Sequence, residues 1–391
     1  MNEPMSQPMN QSSVEEIFRD AVASVDTLPP PLEAFRDHAA QEQRKRRRRA
    51  RLVAAVAVVP VVLATATWIG TRSDGDSTAQ APPVVTMVEN SADIAWWGDG
   101  RLHLANVTVE VPPSGRPLDH LAEINGGAVY GDDTGAVVFV GDDGEVTRIG
   151  TKAPGARLVA SDETGWVAWV DPRDRSPELV VYDLTARDVL ASRPLPSAGA
   201  GAGPGGAGAG SHPIALDGDK VYYTAADAEH EWTVPDGETV PVQPSGLLAV
   251  ANGTRVWQVD PTTITMVQPF FSLSFERAGS GAQISPDGNR VLTRTSGVGQ
   301  GGGRVRLYDT RSGESLWTGL TRRDVPIAAT LGPETEVSYL LAYRDDESRR
   351  EAFVRQSSSS PVELRTCDHE TRRCRAVAQI PLVGAAPVLA R

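Results

Sequence analysis

Two carboxylate pairs, Asp132-Asp133 and Asp142-Asp143, are the acidic clusters best placed to do chemistry, and each sits against glycine, in Gly-Asp-Asp-Thr-Gly and Gly-Asp-Asp-Gly. Oxygen ligands of this kind can hold a calcium ion. They are also the ordinary material of hairpin turns, where an Asp side chain accepts a hydrogen bond from the backbone two residues on, and that is the better reading here. The histidines His38, His103, His120, His212, His230 and His369 are scattered. No His-Glu-x-x-His helix, Gly-x-Ser-x-Gly elbow or Walker loop is present. The glycine-rich stretch at 296–303 could be imagined as a phosphate cradle, yet no Lys-Ser/Thr follows it and Arg304 opens a strand. A linear search therefore names no catalytic residue, no metal ligand and no cofactor. A catalytic set gathered from several strands around one axis would escape such a search.

The elements that would have to position any site are strands. From residue 84 onward, short alternating runs rich in Val, Leu, Tyr and Trp are punctuated by Asp-Gly, Asn-Gly and Pro turns. The stretches 179–190 and 305–316 are visibly alike, each an apolar strand running through Tyr-Asp into a turn and out again. Looser copies fall at 101–111, 137–149, 232–242, 255–267 and 362–378. The spacing, roughly 44 residues per unit, is the period of a four-stranded propeller blade. An all-β propeller of seven blades is expected, with six as the alternative. The Ala/Gly stretch at 198–210 reads as a flexible connection between the third and fourth blades.

Ser285-Pro286-Asp287-Gly288, followed by Asn289-Arg290-Val291-Leu292, resembles the Ser-Pro-Asp-Gly turn of the WD40-like repeats in TolB-type propellers. In that family, Asp-Gly closes the hairpin between inner strands. Degenerate versions stand at 162–165, before Trp166, and at 216–221, before Tyr222 and Tyr223. The resemblance implies a fold and no activity, because its motif is a structural turn.

Toward the N-terminus, the basic run Arg44, Lys45, Arg46, Arg47, Arg48, Arg49 and Arg51 is followed at once by the uncharged residues 52–70. As a helix, that run reaches about 28 Å, close to the hydrocarbon thickness of a bilayer, and it reads as a single transmembrane anchor. The cationic flank places 1–51 in the cytoplasm and the rest outside, with the basic side chains on anionic head groups. Ala64-Thr65-Ala66 has the form of a signal-peptidase site, which leaves cleavage as the alternative. Residues 71–83 form a linker, and 84–391 form the propeller.

The exported part holds 29 of the 38 basic groups and 42 of the 50 acidic ones, so nucleic acid is not an expected partner there. Its two cysteines, Cys367 and Cys374, flank six residues inside the last predicted hairpin. A register that pairs Cys367 with Cys374 also pairs Asp368 with Arg373, and both cysteines then face the same side. In an oxidising exterior, a cross-strand disulfide is expected, worth about 2.5 kcal/mol for so short a loop. The arrangement is similar to the Cys-Asp…Arg-Cys outer hairpin of membrane-anchored propeller proteins of actinobacteria. A GC-rich source of that kind also fits a chain with only three lysines, Lys45, Lys152 and Lys220.

In the tail, Ser13-Val14-Glu15-Glu16 has capping-box spacing. Val14, Ile17, Phe18, Ala21, Val22 and Val25 then form one apolar helical stripe, which Pro29-Pro30-Pro31 ends. No domain on that side is large enough to cover it, so a cytoplasmic protein partner is expected to bind 14–25. The short acidic helix, proline break and arginine run resemble the tails of actinobacterial membrane proteins that accompany extracytoplasmic-function sigma factors. The His-Cys-Cys zinc pattern of the better-known anti-sigma domains is absent. The expected function is a non-enzymatic, membrane-anchored propeller that binds a protein or envelope ligand and is linked by its tail to sigma-factor signalling. The competing class is a tethered propeller hydrolase or lyase acting on envelope glycans or lactones.

Overall fold

The computed structural model describes residues 84–390, apart from 89, 91, 93, 112–116, 133, 154–155, 173–175, 197–210, 227, 236, 270, 277–280, 296–303, 333, 343–360 and 382–386. Its strands form seven antiparallel sheets. From the inside out, blade 2 is Pro117–Ile124, Gly127–Asp132, Ala136–Gly141 and Val146–Thr151. Blade 3 is Leu158–Ser161, Trp166–Asp171, Glu178–Asp183 and Asp188–Pro194, and blade 4 is His212–Asp217, Lys220–Ala225, Ala228–Thr233 and Thr239–Pro241. Blade 5 is Leu247–Ala251, Thr254–Asp260, Thr263–Gln268 and Phe271–Glu276, and blade 6 is Gly281–Ile284, Arg290–Arg294, Val305–Asp309 and Ser315–Leu316. Blade 7 is Val325–Leu331, Glu336–Ala342, Val362–Asp368 and Arg373–Ile380. Blade 1 is built from both ends of the domain: Val388–Leu389 is its innermost strand, followed by Trp96–Gly98, Arg101–His103, Val107–Glu110 and an added outer strand, Val85–Met87. The innermost strands touch their neighbours all the way round the ring, which is therefore closed.

Each blade is apolar on both faces because both are covered. In blade 3, Val167 and Trp169 join a core with Ala122, Ile124 and Val129 of blade 2. The residues between them, Ala168 and Val170, join Val221, Tyr223 and Trp232 of blade 4. Strand periodicity alone sends alternate side chains into different gaps. The pattern repeats in seven apolar clusters, one for each gap between neighbouring blades. Close approach also selects residues: a Cβ on Gly150 would lie 2.3 Å from the Trp169 ring, so only glycine lets that indole pack flat on the neighbouring blade.

The turns expected to join first and second strands do so at 162–165, 217–219 and 285–289. Asp287 Oδ1 accepts the Asn289 backbone N–H at 3.1 Å, and Gly288 takes φ +71°. These turns are tied blade to blade. Asp217 accepts the backbone N–H groups of Asn252 and Gly253, Asn252 Nδ2 donates to the Asp287 carbonyl, and buried Arg290 donates to the carbonyls of Gly332 and Glu336. Of the hairpins read from the sequence, six join the third and fourth strands of their blades. The exception is 255–267, which joins the second and third strands of blade 5, because Thr263–Gln268 alternates as regularly as an outer strand and periodicity carries no depth.

Among the described residues, no helix is long and apolar enough to cross a membrane. The tail helix, basic run, anchor at 52–70 and linker at 71–83 lie outside the described residues, as do the glycine-rich stretches at 198–210 and 296–303.

Candidate functional site

First-to-second and third-to-fourth strand turns emerge on the same side of the ring, and between blades 2 and 3 they enclose a cleft of about 530 Å³. Asn125 and Gly126, with 141–143 and Glu145, come from blade 2, while 162–165 and the turn after Tyr182 come from blade 3. Gly126, Gly144 and Gly165 have φ of +89°, +82° and +72°, the left-handed conformation that tight turns require of glycine. Two backbone bonds hold the rims: Asp142 N–H donates to the Gly126 carbonyl at 2.9 Å, and Leu184 N–H to the Gly165 carbonyl at 3.1 Å.

The apolar lining is Phe139, Ile149, Tyr182 and Leu184, and the acidic lining is Asp142, Asp143, Glu145, Asp162 and Glu163. Arg187 is the single basic residue of the lining, and it bridges the two blades by a bidentate pair, Nη1 to Glu145 Oε1 at 3.2 Å and Nη2 to Oε2 at 2.9 Å. With both side chains well exposed, that pair contributes about 1 kcal/mol or less. It also neutralises Glu145, while Asp142, Asp143 and Glu163 add further carboxylates to the lining. Burial, and then the neighbouring Asp143, push the Asp142 carboxyl above its ordinary range. Burial likewise raises the Tyr182 phenol, followed by the nearby Asp188. Chemically, the cleft offers several carboxylates together with aromatic and aliphatic side chains, a setting for a cationic group on an apolar stem.

Other residues singled out in the sequence fall elsewhere. Asp132 Oδ1 accepts from Thr134 N, Thr134 Oγ1 and Ala136 N at 2.9, 2.7 and 2.7 Å, so it caps a turn in blade 2; Asp133 lies outside the described residues. Asp143 Oδ1 likewise accepts Glu145 N–H at 2.9 Å. Cys367 and Cys374 stand opposite one another in blade 7 and are joined by a disulfide, with Asp368 opposite Arg373. His103 stacks on Trp96 in blade 1 and His230 on Tyr223 in blade 4, while His369 lies in the outer turn of blade 7. No group of three His, Cys, Asp or Glu side chains is placed to hold a metal ion among the described residues. The residues that sequence reasoning missed are Phe139, Glu145, Glu163, Tyr182 and Arg187. Their one signal was the recurring turn after each outer strand, which says nothing about which two turns meet.

No protein-family model matches this chain, and no curated protein matches it. Among solved structures, TolB from Acinetobacter baumannii is similar at 14% identity and a TM-score of 0.40, over 65% of this chain and 62% of that one, so this chain spans less than two thirds of its length. U3-55K is similar at 13% identity and TM-score 0.41, over 68% of this chain and 83% of that one. The β-propeller domain of the Trilobed protease from Pyrococcus furiosus is similar at 10% identity and TM-score 0.44, over 66% and 80%. Likeness this distant decides nothing, and the seven-bladed propeller rests on the sheet topology itself.

Proposed function

We propose that this protein is a single-pass membrane protein whose extracytoplasmic propeller is a non-enzymatic binding or scaffold module, and whose tail docks a cytoplasmic protein of the sigma-factor machinery. The observation that carries the binding role is the cleft between blades 2 and 3. Its carboxylates, sharing one lining with Phe139 and Tyr182, suit a lysine or arginine side chain presented by a protein ligand, because such a side chain offers a charge to the carboxylates and a methylene stem to the rings. The basic run before residue 52 supports the anchor, and the uncovered stripe at 14–25 supports the docking tail.

The test is recovery of partners with tagged full-length chain from membranes. Asp142→Asn, Asp143→Asn and Glu163→Gln together should lose proteins that the unaltered chain recovers at low salt, and raised salt should weaken recovery by the unaltered chain. Equal recovery by both would remove the cleft as the ligand face.

A further inference from the structure

The outer strand of blade 1, Val85–Met87, is the outermost in its sheet and leaves one side of its backbone open. Glu110 N–H donates to the Val84 carbonyl at 2.9 Å, and the register runs Val85↔Val109, Thr86↔Thr108 and Met87↔Val107. Residues of an antiparallel pair alternate between bonded and non-bonded positions, so 84 and 86 face the sheet. The backbone N–H and C=O groups of Val85 and Met87 therefore point outward. All of 84–88 is exposed, Val84 to 56%, Val85 to 41%, Met87 to 71% and Val88 to 49%. The Val85 side chain lies against Gly144 of blade 2, which props the face of the strand.

Edges are guarded by shortness, by proline or by charge, and charge is the guard that keeps a like edge away. Here Ser77 through Val88 carries none, between Asp76 and Glu89. Pro82 and Pro83, lacking N–H donors, bar any extension of pairing toward the N-terminus.

We infer that the Val85–Met87 edge pairs with the same edge of a second copy of this chain, antiparallel about a two-fold axis through Thr86. That axis sets Val85 opposite Met87 of the second copy and Met87 opposite its Val85, and each opposed pair exchanges both backbone hydrogen bonds. Thr86 meets its own counterpart in the non-bonded position. So short a contact is too weak to hold two copies in free solution. The inference rests on the anchored reading given above. Residues 71–83 can extend at most about 45 Å, so two chains anchored in one bilayer keep their edges in a shallow layer, where the effective concentration reaches the millimolar range. The short strand between a proline stop and an acidic residue admits one register, which yields a closed pair and not an open array.

The experiment uses full-length chain in membranes, with Thr86→Cys as reporter. Opposed residues at a non-bonded antiparallel position have Cα atoms about 4.5 Å apart, within disulfide reach, and the native cysteines are already paired. Mild oxidation should give covalent dimer at least tenfold above that of Arg148→Cys, an exposed position on the outer strand of blade 2 that reports random encounter. Adding Val85→Pro should return the Thr86→Cys signal to the Arg148→Cys level, since it deletes an outward N–H and leaves the bonds to Val107–Glu110 intact. Thr86→Cys dimer no greater than that of Arg148→Cys, or unchanged by Val85→Pro, overturns the pairing. Alkaline carbonate extraction of the same membranes reads the premise separately: chain released by carbonate overturns the anchoring, and the inference with it.

Discussion

His103 lies flat on Trp96, with ring centroids 3.7 Å apart and planes 10° apart, and Thr108 Oγ1 is 3.1 Å from its Nδ1, placed to donate to the neutral ring. Burial, reinforced by Arg101, lowers its pKa from 6.5 to about 4. The folded value lies below the unfolded one, so the unfolded chain binds more protons between them. The stability that comes from the neutral ring is complete above about pH 6.5 and is lost as pH falls toward 4. After allowance for partial exposure, the amount is on the order of 1–2 kcal/mol. Thermal unfolding of His103→Gln should accordingly show a shallower loss of Tm across that window than the unaltered protein. Asp142 has the opposite displacement, upward, so it takes up a proton at higher pH than an ordinary aspartate. Binding of a cationic ligand in the cleft should weaken first through this residue as pH falls, and Asp142→Asn should remove the earliest part of that decline in a titration of affinity.

At the scale of elements, the disulfide hairpin of blade 7 packs against the chain arriving from blade 6. Gly319, at φ +74°, lies so close that a Cβ there would stand 2.4 Å from Cys374 Sγ and 2.5 Å from Cys367 Sγ. Gly319→Ala therefore combines a left-handed backbone with a steric clash and should cost about 2–4 kcal/mol by denaturant unfolding. Replacing both cysteines by serine should cost about 2–3 kcal/mol, the loop-closure value, with intact mass of the native protein two hydrogens below its reduced mass. The predicted tail helix is tested by its own stripe. In pull-downs with residues 1–43, Ile17→Asp should abolish capture of the partner, whereas Glu16→Ala, which weakens only the cap, should largely retain it.

For the whole molecule, closure of the ring depends on a two-residue strand. Val388 and Leu389 pair with Trp97 and Trp96, and Leu389 is buried among Trp96, Leu340 and Ile380. Leu389→Ala should cost about 2–4 kcal/mol. Removing the strand should lower Tm far more than deleting any exposed turn of similar length, because it opens the gap between blades 7 and 1 as well as the sheet. Topology is a property of the entire chain: a reporter active only outside the cytoplasm should work when fused after Arg391 and fail after Gln43.

Strand character, the repeat and the blade count were legible because every blade but the first is a local object. Alternation, each Tyr-Asp turn and Ser285-Pro286-Asp287-Gly288 are each contained in the roughly forty residues of a single blade, as is the pairing of Cys367 with Cys374, which one short hairpin dictates. The charge asymmetry around residue 52 is local too, and it carries the expected topology. Three things needed the tertiary structure. Depth within a blade, one strand further in at 255–267 than at the other six hairpins, follows from which neighbour covers a strand and leaves no mark on its periodicity. Closure joins residues nearly three hundred positions apart through backbone hydrogen bonds, which are indifferent to side-chain identity. The cleft arises where turns of separate blades meet, bringing Glu145 to Arg187 and setting Phe139 and Tyr182 in one lining, an arrangement fixed by the angle between neighbouring sheets and not by any spacing along the chain.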